Sequence, residues 1–387
     1  MRDGWVEYKF KDVATAVKGK LPKTKNEDGL GIPYLTASFL RSSKPDYWIE
    51  NIEGAVTAED GDCLILWDGA GAGDLFTARR GVVSSTMAVV TTQNSKILRE
   101  FLTLFISSKA EYIKETCRGT TVPHVSPDAI ANMDLKIPPL SEQKRIVDLI
   151  SSVDSYIEAL QQQFESVKRS RNAVLHELLT TGGDDWFETS LGEIADWGSG
   201  GTPKADNAAY YGGTIPWCVI GDLTEGEVWE TEKTISQLGL TNSSAKIIDP
   251  GSILLAMYGA SIGRTGISAI PMATNQAIAF AKCKELSVLP KYLLVYLQTQ
   301  KLKFIDMGQG AAQPNISQTI IKSWPISLPP ISQQKKVIER IDSFSKLIEN
   351  SECLVSETKN LRSSLLNDLL SGNHEIPSAY DKVMGAA

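Results

Sequence analysis

The sequence predicts an α+β protein in which two pseudo-repeated, mixed α/β globular domains are separated by two long antiparallel coiled-coil helices. Residue types recur at constant offsets along the 387-residue chain, and a heptad pattern of apolar residues follows each globular segment. Glycines end both heptad stretches. The predicted segments are 1–140 and 182–330 for the globular domains, 141–181 and 331–372 for the helices, and 373–387 for a C-terminal tail.

Length and composition exclude several classes of protein. A 387-residue chain with 42% hydrophobic residues exceeds the usual single domain and can bury more than one core. No apolar run approaches the roughly 20 residues that cross a membrane, and no signal peptide opens the chain, so we expect a cytoplasmic protein without a membrane partner. The five cysteines and three histidines lack metal-ligand spacing. The net charge of −7 argues against a uniformly polybasic surface.

An internal duplication carries the prediction of two domains. Trp5 recurs as Trp186 at an offset of 181, whereas the motif P-P-[LI]-S-x-Q-K begins at Pro138 and again at Pro329, at an offset of 191. The offset is constant near each end of the unit and grows only in its middle. This pattern indicates a constant scaffold around a segment that has been free to change length.

Each Pro-Pro pair precedes a predicted long helix. We expect Ser141 and Ser332 to cap the helices, and Gly182 and Gly372 to end them. The first helix has a seam of about five heptads that ends with Val174 and Leu178. The second has polar interruptions, and we expect a neighbouring stripe to compensate, formed by Leu347, Leu354 and Leu361.

Duplication supplies a partner helix within the same chain, so the two helices are predicted to pair with each other in antiparallel orientation. An ordinary dimerisation coiled coil has the same sequence pattern. Arg171 and Arg362 occupy equivalent seam positions. They either fix the register of the pair, as polar seam residues do, or lie in solvent where the seam ends.

No stretch contains a complete catalytic motif. The segment Asp68-Gly69-Ala70-Gly71-Ala72-Gly73-Asp74 resembles a nucleotide-binding loop, but Asp74 stands where the last glycine belongs, which favours a turn. Asp128 and Asp134 resemble part of a nuclease signature, but they lie too close in sequence and the second copy lacks both. Neither Pro-Pro pair has the flanking residues of an adenine methyltransferase. The sequence therefore predicts no catalytic site.

The whole chain resembles the specificity subunit of type I restriction-modification enzymes. Two variable domains each end in the P-P-[LI]-S-x-Q-K motif and continue into a long helix. The second domain has the landmarks of a target-recognition domain, namely Gly200-Gly201-Thr202-Pro203-Lys204, Tyr258-Gly259 and Asn275-Gln276. The first departs from them, with Lys20-Leu21-Pro22-Lys23 in the first place and Thr86-Met87 where Asn-Gln would fall.

The resemblance implies that each domain is a target-recognition domain that reads one half of a bipartite double-stranded DNA site. It implies that the helix pair sets the spacer and docks two methyltransferase subunits, with two restriction or translocase subunits as possible further partners. S-adenosylmethionine would bind those methyltransferases, and this chain would bind no cofactor and catalyse nothing. Because the two domains differ in sequence, their half-sites are expected to differ.

Candidate DNA contacts lie in loops rich in Gly, Thr, Lys and Arg. Backbone amides and cations there suit phosphates, whereas Arg, Asn and Gln suit base edges. A solvated surface role fits any single candidate about as well. The candidates are Lys20, Lys23, Arg79, Arg80, Arg118, Thr120, Thr121 and His124 in the first domain, and Thr202, Lys204, Tyr258, Arg264, Asn275, Gln276, Gln313 and Asn315 in the second.

Two other classes of function remain open. A scaffold whose two domains bind proteins or glycans, with the coiled coil as a spacer, fits the weakly acidic composition. An enzyme with an unfamiliar site would turn over substrate without partners.

Overall fold

The chain forms two compact units in the computed structural model, which describes residues 4–119, 121–180, 182–308, 315–377 and 379–381. Unit 1 comprises Met1–Gln162 with Cys353–Ala387, and unit 2 comprises Gln163–Glu352. Each long helix therefore contributes one half to each unit. The units cut across the predicted segments because half of each helix packs with each globular domain.

Unit 1 is built from short strands and helices. Its strands are β1 (Val6–Lys9), β2 (Thr15–Lys18), β3 (Ile32–Leu35), β4 (Trp48–Ile49), β5 (Thr57–Ala58), β6 (Cys63–Leu66), β7 (Leu75–Thr77), β8 (Gly81–Val83), β9 (Met87–Thr91) and β10 (Asp134–Ile137). Its helices are α1 (Phe10–Val13), α2 (Ala37–Ser42), α3 (Arg99–Ser108), α4 (Ala110–Glu115), α5 (Pro127–Ala131) and the first half of α6 (Leu140–Thr180).

The strands of unit 1 pair in the orders β1-β10, β2-β9-β6-β7 and β4-β3-β8-β5. The pairs are antiparallel except β3 with β8, which is parallel. A large core joins Phe101 and Phe105 of α3, Leu135 of β10, and Ile146 and Ile150 of α6. The amphipathic stripe of α3 is thus buried against the long helix, as its 3.6-residue period predicts.

Unit 2 repeats these elements. Its strands are β11 (Phe187–Ser190), β12 (Ala195–Ser199), β13 (Tyr211–Cys218), β14 (Glu227–Val228), β15 (Thr234–Ile235), β16 (Ile247–Ile248), β17 (Ile253–Ala256), β18 (Thr265–Ser268), β19 (Met272–Thr274), β20 (Ile278–Cys283) and β21 (Pro325–Leu328). Its helices are α7 (Leu191–Ile194), α8 (Gln237–Thr241), α9 (Pro290–Thr299), α10 (Lys301–Gly308), α11 (Gln318–Lys322), the second half of α6 and the first half of α12 (Ile331–Ser371).

The strand orders of unit 2 confirm the duplication. They are β11-β21, β12-β20-β17-β18-β14 and β15-β13-β19-β16, which match unit 1 strand for strand except for β14. That strand runs parallel to β18 at the sheet edge. The offset is 183 between Ile32 of β3 and Ile215 of β13, 186 between Ile49 and Ile235, and 190 between Ala58 and Ile248, so most of the added residues lie between β13 and β16. Strand β13 is also longer than its counterpart β3 and has an irregular register between Tyr211 and Ile215.

The halves of the long helices pack antiparallel within each unit, as predicted. In unit 1, Arg145 near the start of α6 donates to the carbonyl of Ile376, which follows the end of α12. Two turns later in α6, Asp154 pairs with Arg362, earlier in α12. In unit 2 the same helices share a core that includes Leu175, Leu179, Val337 and Ile341.

The predicted helix ends are confirmed, but the predicted caps are wrong. Gly182 and Gly372 have φ values of 69° and 78°, a left-handed conformation typical of the residue after a helix. At the start of α6 the amide of Gln143 donates to the carbonyl of Pro139 at 3.0 Å, and α12 begins in the same way. The second proline of each pair therefore holds the cap position, and the serines lie inside the first turn.

The buried face drifts along the helices. Leu175 and Leu179 are buried near the end of α6, whereas the predicted Val174 and Leu178 are only half-buried. A straight α-helix drifts by about 20° per heptad from a 3.5-residue repeat, so the contact moves by about one residue over five heptads. Each residue of the predicted compensating stripe lies one position before a seam residue and faces solvent. The prediction that this stripe contributes to helix pairing is wrong, because its three members are exposed: Leu347, Leu354 and Leu361.

The seam arginines are both half-buried but have different partners. Arg362 donates from Nε and Nη2 to the Oδ1 and Oδ2 atoms of Asp154, at 2.5 and 2.8 Å. Arg171 donates to Oδ1 of Asn172 at 3.4 Å, and burial lowers the pKa of its guanidinium. The offset of 191 places Ser345 where α6 has Asp154. The bidentate pair joins α6 and α12 in unit 1, and serine has no charge to offer Arg171 in unit 2.

A buried glutamine joins α6 to its globular domain. The side chain of Gln143 is fully buried. Its Oε1 accepts from the amide of Leu98 at 2.8 Å, and its Nε2 donates to the carbonyls of Lys96 and Pro138 at 2.7 and 2.8 Å. The amide thereby connects the start of α6 to the start of α3 and to the Pro-Pro turn.

Unit 2 makes the same connection with Gln334, which is also fully buried. Its Oε1 accepts from Leu289 at 2.9 Å, and its Nε2 donates to Ser287 at 3.2 Å and Pro329 at 3.0 Å. All three partners lie 191 residues beyond those in unit 1. The glutamine of the repeated motif therefore has the same structural role in both units.

Replacing Gln143 or Gln334 with Leu should destabilise the corresponding unit by about 2–4 kcal/mol, because each change leaves one amide and two carbonyls without their buried partner. Urea unfolding followed by tryptophan fluorescence measures the loss. Gln161→Leu, an exposed position on α6, serves as the control and should change stability by less than about 0.5 kcal/mol. Equal effects at the buried and exposed positions would contradict the anchoring role.

Replacing Ser345 with Asp should stabilise unit 2 by about 0.5–1 kcal/mol. The new carboxylate would pair with Arg171, as Asp154 pairs with Arg362 in unit 1. The neutral isostere Ser345→Asn is the matched control. Denaturation at low and high salt measures the gain, which should shrink as salt rises. A gain that Asn reproduces would show that no ion pair forms.

Candidate nucleic-acid interface

Tight backbone contacts hold the loop 200–204 of unit 2 against the end of β19. A Cβ atom on Gly200 would lie 1.8 Å from the carbonyl oxygen of Thr274, so a side chain does not fit there. The amide of Gly201 donates to the same carbonyl at 2.9 Å, and its carbonyl accepts from Nε1 of Trp217 at 3.1 Å. The backbone of the loop is therefore fixed.

The fixed loop presents polar side chains at its surface. Thr202 and Lys204 are exposed, and the hydroxyl of Thr202 donates to Oε1 of Gln276, which is also exposed. Asn275 is half-buried, and its Oδ1 accepts from the amide of Ala277 at 3.1 Å. Asn275 thus shapes the turn that carries Gln276.

A neighbouring bridge brings further predicted residues to this place. Tyr258 and Asn315 form an isolated antiparallel bridge, and both are exposed. The preceding residue, Met257, donates its amide to the carbonyl of Ala277 in the same turn at 2.9 Å. The loop edge of unit 2 is defined by Thr202, Tyr258, Asn275, Gln276 and Asn315.

The remaining predicted residues of unit 2 have other positions. The Nη2 atom of Arg264 donates to the carbonyl of Leu223 at 2.6 Å, so the half-buried guanidinium holds the backbone after the 3-10 turn Ile220–Asp222. Gln313 lies outside the described residues.

Unit 1 has an equivalent edge. A Cβ atom on Gly19, the counterpart of Gly200, would lie 2.2 Å from the carbonyl oxygen of Val83. The Nζ atom of Lys18 pairs with Oδ2 of Asp68 at 2.5 Å, and Asp68 forms an isolated bridge with His124. Tyr258 lies 190 residues after Asp68, and Asn315 lies 191 residues after His124, so the two bridges are counterparts.

A tight turn adds cations to this edge. The backbones of Arg118 and His124 exchange hydrogen bonds of 2.9 and 2.8 Å, and Gly119 has a φ of 102° that favours glycine. Thr121 is exposed in the same turn, and Thr120 lies outside the described residues. The predicted residues Lys20 and Lys23 follow β2 and are exposed. The loop edge of unit 1 is defined by Lys18, Asp68, Ser85, Arg118 and His124.

Arg79 and Arg80 lie at the other end of the sheet. Both arginines come just after Thr77, the last residue of β7, which pairs with Cys63 at the start of β6. Asp68, in contrast, comes just after the end of β6. The guanidinium of Arg80 lies 3.9 Å from the carboxylate of Glu59, and its amide donates to Asp60. The structure therefore separates these two arginines from the other predicted residues of unit 1.

The predicted counterpart of Asn275-Gln276 in unit 1 is wrong. The turn in unit 2 closes when Ile278 donates to the carbonyl of Asn275, and in unit 1 Met87 donates to the carbonyl of Ser84. Ser84-Ser85, and not Thr86-Met87, therefore occupies the equivalent place. The residues of α3 and α9 are related by an offset of 191, and the same offset applied to Ser84 gives Asn275, so the sequence does contain this correspondence. Sequence reasoning also missed Lys18.

The described residues provide little for covalent or metal chemistry. Burial raises the pKa of the Cys63, Cys218 and Cys283 thiols to about 12, so they stay protonated and weakly nucleophilic. All five cysteines are free thiols. Among the residues described, no group of three or more His, Cys, Asp or Glu side chains is arranged to hold a metal ion. In the same part of the chain, no helix is long and apolar enough to span a bilayer.

Comparisons with known proteins agree with the duplicated architecture. The sequence-family model for the type I restriction modification DNA specificity domain matches residues 2–169 and again residues 183–356. The MjaVIII specificity subunit of Methanocaldococcus jannaschii is 25% identical over 96% of this chain and 93% of that protein. The EcoBI specificity subunit of Escherichia coli is 23% identical over 99% of this chain and 92% of that protein.

Solved structures share the fold. A chain from a structure of type I restriction-modification complex assembly has a TM-score of 0.69, 18% identity, and coverage of 96% of this chain and 98% of that one. The S subunit from M. genitalium has a TM-score of 0.53 and 14% identity over 96% of this chain and 97% of that one.

Proposed function

The chain belongs to the type I restriction-modification DNA specificity family, and from that premise we propose how its two units divide the recognition of DNA. Each unit reads one half of a bipartite double-stranded site through its loop edge. The observation that carries this proposal is that equivalent turns and bridges of both units gather exposed and half-buried polar side chains at one edge, on backbones fixed by hydrogen bonds. Such a preorganised edge suits contacts to base edges in a groove.

The two loop edges differ in chemistry, so the two half-sites differ. The edge of unit 2 offers the neutral amides of Gln276 and Asn315 next to the exposed Lys204 of the loop 200–204, and amides of this kind pair with adenine. The edge of unit 1 offers Arg118 and the nearby Lys20, and cations of this kind pair with guanine. We therefore assign A·T contacts to unit 2 and G·C contacts to unit 1.

Methylation and cleavage belong to other subunits in this proposal. The chain reads DNA without catalysing a reaction, two methyltransferase subunits dock on it and bind S-adenosylmethionine, and restriction or translocase subunits join them. The names of its relatives, which are specificity subunits of type I restriction enzymes, support the assignment of partners.

The long helices set the spacer between the half-sites in this proposal. Each is one unbroken helix of 41 residues, with one half in each unit. The buried glutamines tie each helix to a globular domain, so a change in helix length should reach the reading edges.

Replacing Gln276 with Ala should relax base preference in one half-site and weaken binding by about 10- to 100-fold, the effect of losing a bidentate base contact. Methylation mapping of the chain assembled with its methyltransferase measures this. The other half-site and the spacer should stay unchanged.

The control is Gln237→Ala, an exposed glutamine at the start of α8. Its neighbour Ser236 donates to the carbonyls of Ala209 and Tyr210, just before β13, whereas Asn275 of the loop edge donates to the carbonyl of Cys218 at the end of that strand. The control should leave both half-sites intact. If Gln276→Ala changes neither half-site nor affinity, or changes both half-sites together, the assignment of this edge is wrong.

A further inference from the structure

Unit 2 has a cavity of about 300 Å³ where the end of α6 meets the start of α12. Its wall is mostly apolar and includes Leu178, Trp186 and Val337. Two exposed cations, Lys336 and Arg340, lie at its rim. The carboxylate of Glu177 also lines the cavity, so the charged groups of the lining are two cations and one anion and carry a net positive charge.

In unit 1 the C-terminal tail occupies the equivalent place. Ile376 is 6% exposed and belongs to the same core as Ile146, the counterpart of Val337. Arg145, the counterpart of Lys336, donates from Nε and Nη2 to the two carboxylate oxygens of Asp381, at 2.7 Å each. This bond lowers the pKa of the Asp381 carboxyl, so the ion pair persists at neutral pH.

The tail therefore shows what kind of ligand fits such a groove. An aliphatic side chain enters the core, and a carboxylate five residues later pairs with the cation on the long helix. Unit 2 keeps the apolar wall and the cation and adds Arg340, where unit 1 has Leu149. Its rim is thus more positive than that of unit 1 and favours a more acidic ligand.

We propose that the unit 2 cavity is a docking site for a peptide segment of a partner protein, with an aliphatic residue followed about five positions later by Asp or Glu. The aliphatic residue would pack between Leu178, Trp186 and Val337, and the carboxylate would pair with Lys336. A second copy of this chain is a poorer occupant, because its tail is already held on its own unit 1 at high effective concentration. This inference goes beyond DNA reading and does not depend on it.

A labelled synthetic peptide with the sequence of residues 374–381, His-Glu-Ile-Pro-Ser-Ala-Tyr-Asp, probes the site on the full-length chain without DNA. Fluorescence anisotropy should show saturable binding with a Kd below about 1 mM. The double variant Lys336→Glu with Arg340→Glu should weaken binding at least about fivefold, because it replaces attraction by repulsion at the rim. Lys335→Glu, an exposed neighbour outside the cavity lining, is the matched control and should bind within about twofold of the parent.

A photo-crosslinker in place of the isoleucine of the peptide should label residues 177–186 or 329–340, as read by mass spectrometry. Melting temperatures of the variants, whose altered residues are exposed, check that they fold. The proposal is overturned by absence of saturable binding up to about 1 mM, by equal binding to the double variant, or by labelling confined to residues 138–150 of unit 1. Because no DNA is present, these outcomes are independent of the proposed base recognition.

Discussion

The buried side-chain amide at the start of each long helix is the constraint on which the rest of the architecture depends. Gln143 and Gln334 are fully buried, and each satisfies one backbone N–H donor and two backbone carbonyl acceptors. An unpaired polar group costs most in such a place, so the three segments that each amide joins have little freedom to move apart. A long helix that is firmly joined to a globular domain can transmit its length and direction to that domain. The repeated motif is therefore a structural joint.

The indole at the start of each unit reinforces this joint. Nε1 of Trp5 donates to Glu142 at 3.1 Å, and Nε1 of Trp186 donates to Gln333 at 3.1 Å. Around these constant contacts the surface residues diverge. The loop edges keep the same bridges and glycines but carry different side chains, and the ion pair of Arg362 in unit 1 has no ionic counterpart at Ser345 in unit 2. A fixed frame with variable edges allows two different half-sites to be read by one fold.

Much of this fold could be predicted from the sequence, because duplication and heptad spacing are properties of the chain itself. The predictions failed where three-dimensional geometry decides. Heptad counting does not include helix drift, so it placed Val174 in the seam where Leu175 is buried. Serine is a good cap in general, but the carbonyl of Pro139 takes the cap position here. Sequence alone also gave no sign that the sheet places Arg80 beside Glu59, away from the loop edge.

The measurement that tests the central claim most directly is the spacer preference of a chain with lengthened helices. Four residues are inserted after Gln162 in α6 and after its counterpart Cys353 in α12. The insertion adds about 6 Å along each helix and rotates its end by about 40°. Methylation mapping with the partner methyltransferase should show a spacer longer by one or two base pairs, at about 3.4 Å each, with both half-sites unchanged. An unchanged spacer, or altered half-site bases, would contradict the claim that helix length sets the distance between the two reading edges.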